Sequence, residues 1–177
     1  MSRLQRIESS AATGKAKDLL DAVKQKMGAT PNIFTAFANS PAALEGYLAL
    51  NNALTGGVLD TKLREKLSLV VAGYNGCGYC ASAHNFLGKK AGIPQEELQK
   101  NLQGKSSENK DQGALAFAIE LLKNRGKISD STLANIRRLG FSDEEIVEIL
   151  AHVAMNVFTN YFNEAFQTEI DFPEVKL

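Results

Sequence analysis

The apolar positions of this chain recur at three- and four-residue intervals, the period of an α-helix, and alternating β-branched runs with hairpin turns are missing. Over residues 15–27, Leu19, Leu20, Val23 and Met27 share a helical stripe and Gly28 supplies the stop. Ser40-Pro41 reads as an N-cap followed by proline at the first helical position. It opens a second helix whose stripe of Leu44, Tyr47, Leu48 and Leu54 runs to Gly56-Gly57. Asp60 caps the next segment, in which Leu63, Leu67, Val70 and Val71 form one face until Gly73, Gly76 and Gly78 interrupt it. Residues 80–90 make a further helix ended by Gly92, and Pro94, placed at the first helical position, opens a short one to Leu102. Residues 103–112 read as a polar connector. The stretch 115–122 is apolar enough to be buried, 129–139 is another short helix, and Ser142-Asp-Glu-Glu145 is a capping box for a long last helix.

Proline occurs only at positions 31, 41, 94 and 173, each beside a change of pattern. No linker divides residues 1–177, so the chain reads as a single all-α domain. A glutamate-led amphipathic helix running into a polar cluster occurs twice, around residues 65–85 and 145–163, and suggests an internal helical duplication.

Composition narrows the function classes. At 177 residues, 44% hydrophobic and 23% charged, the chain can bury a core without a metal or disulfide staple. Lysine plus arginine total 20 and aspartate plus glutamate total 20, which leaves no long-range field to gather nucleic acid or an anionic membrane surface. The longest uninterrupted apolar run, residues 114–119, falls far short of the roughly 20 needed to span a bilayer. The opening Met-Ser-Arg-Leu-Gln-Arg-Ile-Glu has no apolar core of a secretory signal, so the expected location is the reducing cytoplasm.

There are two cysteines, Cys77 and Cys80, and the loop they would close is too small to stabilise the fold much. A bridge between them would serve chemistry. In Cys77-Gly-Tyr79-Cys80-Ala-Ser-Ala-His84 the reactive side chains stand at helical offsets that fall within about 60° of one another. Cys77, at or just before the first turn, has the helix N-terminus to favour its thiolate. Cys80, one turn before His84, has an imidazole to take its proton. The two arguments disagree over which sulfur attacks first. Two thiols so spaced can also close a disulfide by modest local adjustment.

Glu65, then twelve residues later Cys77-x-x-Cys80-x-x-x-His84, resembles the AhpD and carboxymuconolactone decarboxylase superfamily of alkylhydroperoxidase-like proteins. Thr30-Pro31-Asn32-Ile33-Phe34 and the 156–163 cluster are similar to its peroxidase-related branch. The resemblance implies an AhpD-like multihelical bundle with antioxidant, peroxiredoxin-type activity on hydroperoxides. It implies a homo-oligomer, trimeric or hexameric, reduced by a dithiol donor such as a lipoylated protein. By the same resemblance Cys80 is the peroxidatic and Cys77 the resolving cysteine, and Glu65 with His84 relays protons. The redox-active disulfide is the only prosthetic element implied, with no bound metal or other cofactor. The residue before the second cysteine, a histidine in the best-known member, is Tyr79 here, so the relay is shorter or uses the phenol.

Competing readings of the same residues are a zinc-binding or redox-sensing helical module without turnover and a muconolactone-type decarboxylase, which needs no cysteine pair. His152 reads as a structural histidine of the last helix. Phe34, Phe37, Phe158, Phe162 and Phe166 read as packing, and Asn156, Asn160 and Asn163 as helix–helix hydrogen bonding or a lining of the site.

Overall fold

A computed structural model describes residues 2–177, and among them are nine α-helices: α1 (Gly14–Met27), α2 (Asn32–Phe37), α3 (Pro41–Thr55), α4 (Thr61–Asn75), α5 (Gly78–Lys90), α6 (Gln95–Leu102), α7 (Asn109–Lys123), α8 (Asp130–Arg138) and α9 (Asp143–Phe166). Among the described residues there is no strand, and the all-α expectation holds. The local start signals act as their chemistry dictates. Ser40 Oγ accepts from the Ala43 amide, Asp60 Oδ1 from the Leu63 amide, and Ser142 and Glu145 close a reciprocal capping box. Gly28 closes α1 at a φ of 79°, which costs a glycine little.

Several boundaries differ from the pattern reading, each for a tertiary reason. The helix α2 was not predicted. Its Ile33, Phe34, Ala36 and Phe37 are all buried, and six residues are too few to reveal a period. Gly73 does not interrupt α4, which runs through it to Asn75. A methyl group at Gly73 would run into the Leu102 carbonyl, so this glycine marks the close approach of α6. Pro94 is the N-cap of α6 and Gln95 its first helical residue. The polar connector ends earlier than expected, because α7 begins at Asn109. Gln112, inside that helix, turns back to accept from the Ser106 amide and donate to the Gly104 carbonyl. The glutamate-led stretch at 65–85 is divided between α4 and α5, whereas 145–163 lies in the single helix α9.

The centre of the bundle is α4, which packs against α5, α6, α7 and α9. Even its lysine is buried. Lys66 Nζ donates to Asp111 at 2.7 Å and lies 3.2 Å from Glu97, tying α4 to α6 and α7. Burial pushes the Glu97 carboxyl up, but donors from Ser106, Ser107 and Asn101 outweigh it and hold the group well below the usual carboxylate range. On either side of α4 lie two apolar clusters. One joins α1, α2 and α3 to the start of α5, and the other joins α4 to α7, α8 and α9. None of the described helices is long and apolar enough to cross a membrane.

The inner face of α9 is polar and buried: His152, Asn156, Thr159, Asn160 and Asn163. His152 Nε2 has no hydrogen-bond partner. Burial and the Arg64 guanidinium push its pKa down to about 4, against the opposing pull of Glu148 and Glu65. Between that value and the ordinary 6.5, the unfolded chain binds a proton that the folded chain does not, so stability falls as pH is lowered across this interval. His152→Gln removes that titration. Urea unfolding at neutral pH and near pH 4.5 is expected to show the native chain losing about 2 kcal/mol more than the variant, and parallel losses would contradict this assignment.

Candidate active site

The site begins where α4 stops. Gly76 takes a left-handed conformation, φ 73°, and closes α4 through its amide on the Ala72 carbonyl, which also accepts from the Cys77 amide at 3.0 Å. Cys77 is thereby turned into the N-cap of α5, and its sulfur accepts from the Cys80 amide at 3.3 Å. The two sulfurs are joined as a disulfide. Cys77 is fully buried, while Cys80, 3% exposed, lines a cavity of about 700 Å³. The expectation that Cys77, Cys80 and His84 share a face holds for Cys80 and His84, which line the cavity together with Tyr79, Ala83 and Leu87. Cys77 lies behind them and reaches the cavity only through its partner sulfur.

Glu65 comes from the neighbouring helix. Its Oε2 is 2.8 Å from His84 Nδ1, and both groups are partly exposed on the cavity wall. This bond fixes the imidazole and leaves its Nε2 for other partners. The rest of the wall is mainly apolar, with Leu19, Val23, Ile33, Phe34, Leu48 and Phe172 facing the same space. Tyr47 also lines it, its phenol pushed up to about 12 by burial and by the Glu65 carboxylate. Arg64 lines it as well, but its guanidinium is engaged by the Leu54 and Thr55 carbonyls and the Thr61 hydroxyl.

Tyr79 stands apart from the proposed relay. Its hydroxyl donates to Asp171 Oδ1 at 2.8 Å and accepts from the Ile33 amide at 3.2 Å. Burial and the Asp171 carboxylate raise the phenol well above its ordinary value, so it remains protonated. The partners of the phenol are thus neither Glu65 nor His84. Tyr79 instead ties the start of α2 to the C-terminal segment, where Phe172 packs edge-on against its ring.

The structure adds one residue to the motif. Asn163, on α9, donates from Nδ2 to Cys80 Sγ at 3.3 Å and lines the cavity. The signal for it was the asparagine stripe, yet the stripe does not tell the three residues apart. Asn156 donates to the His152 carbonyl, and Asn160 accepts from Asn75. His152, read as structural, also lines the cavity. A second depression of about 910 Å³, around Lys62, Lys66 and Lys100, contains neither cysteine nor histidine. Among the described residues no group of three or more His, Cys, Asp or Glu is placed to hold a metal ion.

Residues 41–104, which include Glu65, both cysteines and His84, match the sequence model of the carboxymuconolactone decarboxylase family. No curated protein matches the chain. Among solved structures, an alkylhydroperoxidase AhpD core, peroxidase-related protein from Ralstonia eutropha JMP134 superposes with a TM-score of 0.87 at 22% identity, over 96% of this chain and 92% of that one. A peroxidase-related protein from Silicibacter sp. TM1040 gives 0.82 at 21% identity, over 95% and 91%. The debrominase Bmp8 gives 0.76 at 22% identity, over 96% and 91%. At these identities the likeness is one of fold. Residues 41–104 thus resemble the carboxymuconolactone decarboxylase family in sequence, and the chain as a whole shares the AhpD-like fold of its peroxidase-related neighbours.

Proposed function

We propose that this protein is a thiol-dependent alkyl hydroperoxide reductase of a reducing compartment, with Cys80 as the attacking sulfur. The observation that supports this reading is the division of labour between the cysteines. Cys80 lines the cavity beside a His84–Glu65 pair, and Cys77 is buried within bonding distance behind it.

In the reduced protein the Cys80 thiolate attacks the terminal oxygen of the hydroperoxide. A sulfur–oxygen bond forms, the oxygen–oxygen bond breaks, and the departing alkoxide takes a proton through His84, whose ring Glu65 holds in place. Cys80 is left as a sulfenic acid. The Cys77 thiol then displaces its hydroxyl as water, giving the disulfide. A dithiol donor such as a lipoyl group reopens it by two exchanges and is itself oxidised to a cyclic disulfide. The apolar cavity suits both an alkyl hydroperoxide and the aliphatic arm of such a donor. The decarboxylase reading lacks comparable support: of the cations on this wall, Arg64 is already engaged by three acceptors, and Lys26 is exposed beside Asn52.

Peroxide consumption with dihydrolipoamide tests the assignment. Cys80→Ser is expected to abolish turnover, and Cys77→Ser to stop after one equivalent. His84→Ala is expected to lower kcat/KM about a hundredfold and Glu65→Gln less. Undiminished turnover by Cys80→Ser would contradict the mechanism, and stoichiometric oxidation without turnover by the native chain would favour a redox sensor.

The reading includes self-association. Val147, Leu150, Phe158 and Tyr161 recur at helical spacing on the outer side of α9 and are exposed, an apolar face that a second subunit would cover. Sedimentation should then show a trimer or hexamer, and a monomeric protein would contradict this part.

A further inference from the structure

Asn163 is 2% exposed, yet only half of its amide is satisfied within the chain. Nδ2 donates to Cys80 Sγ, whereas Oδ1 has no partner. A buried amide oxygen without a donor costs stability, so its position calls for an explanation. The backbone around it is firmly held. The Asn163 carbonyl accepts from the Gln167 and Thr168 amides where α9 turns out of its last coil. Cys80 consequently lies beside the C-terminal end of α9, whose negative dipole opposes a thiolate. An amide N–H aimed at the sulfur counters that field, and a hydrogen bond to a thiolate is stronger than one to a neutral sulfur.

We propose that Asn163 is a catalytic residue of the peroxide reaction, holding the Cys80 thiolate with Nδ2–H and accepting the hydroxyl of the incoming hydroperoxide with Oδ1. This rests on the reading of the site as a thiol peroxidase. One planar amide then sets the terminal peroxide oxygen against the sulfur that attacks it. As the sulfur–oxygen bond forms and the oxygen–oxygen bond breaks, the hydroxyl proton stays on the transferred oxygen. The alkoxide is protonated through His84, and the new Cys80 sulfenic acid keeps its O–H directed to Oδ1. The oxygen left unpaired in the disulfide form is thus, in the reduced protein, the subsite for the hydroxyl of a hydroperoxide. A dialkyl peroxide, which has no hydroxyl to donate, would find no such partner.

The test uses the full chain carrying Cys77→Ser, so that one thiol reports. Iodoacetamide labelling of Cys80 against pH gives its titration midpoint, and stopped-flow mixing with cumene hydroperoxide gives its oxidation rate. Tyr47, Arg64, Glu65, His84 and His152 are common to every variant, so differences between variants isolate the amide. Asn163→Ala is expected to raise the midpoint by about one pH unit and slow oxidation at least about tenfold. Asn163→Asp, of the same shape, raises the midpoint further by placing a carboxylate beside the sulfur, and it decides the matter should the alanine variant fail to fold. Asn160→Ala, on the same helix but bonded to Asn75, leaves both readings at the parent value. Midpoints unchanged in both Asn163 variants would overturn the donor role, and a shifted midpoint with an unchanged rate would overturn the acceptor role. A parent thiol that labels normally but is not oxidised would overturn the peroxidase reading, while its midpoint still judges the donor.

Discussion

The break between α4 and α5 is the constraint on which the site depends. Gly76 ends one helix in a left-handed turn, and Cys77 begins the next as its N-cap, with its own amide still bonded to Ala72. A continuous helix would carry both sulfurs on one stripe. The break instead folds Cys77 back into the apolar cluster shared by α1, α2 and α3, while Cys80, in the first turn of α5, meets the cavity. Two thiols of identical chemistry are thereby given different surroundings. Only one can meet a molecule in the cavity, and the other is close enough to form a bond with it.

Everything else brings groups to that point. The central helix α4 is buried nearly all round, fixed on one side by the Lys66 ion pairs, and so carries Glu65 to His84 on a rigid element. From the opposite direction α9 contributes a polar stripe, of which Asn163 meets the Cys80 sulfur. The C-terminal segment closes the outer side. Asp171 accepts from both Tyr79 and the Asn32 amide, and Val175 donates to Ser82 on α5. The phenol at position 79 is therefore occupied by structural partners and anchors the helix that carries Cys80.

The features legible in the sequence are those fixed within a few residues. The caps at Ser40, Asp60 and Ser142, the stop at Gly28, and the Cys77, Cys80 and His84 spacing all depend on local chemistry, and the helices stand within a residue or two of where these signals put them. What escaped the reading depends on distant partners. Gly73 looked like a breaker because the Leu102 carbonyl that requires it lies on another helix. Whether Tyr79 joins a relay stayed open because Asp171, which takes its hydroxyl, lies 92 positions away. Asn163 could not be told from Asn156 and Asn160, since all three share a stripe and only packing shows which one meets sulfur. The short α2 was lost because it is buried on every side and so has no polar face to mark its period.

The most direct test of the account asks which sulfur first receives oxygen. The reduced Cys77→Ser and Cys80→Ser proteins are each mixed with one equivalent of an alkyl hydroperoxide in the presence of dimedone, and the adducts are mapped by mass spectrometry. The account predicts an adduct on Cys80 in the first protein and none on Cys77 in the second. An adduct formed equally fast on Cys77 would show that burial behind the helix break does not separate the two thiols.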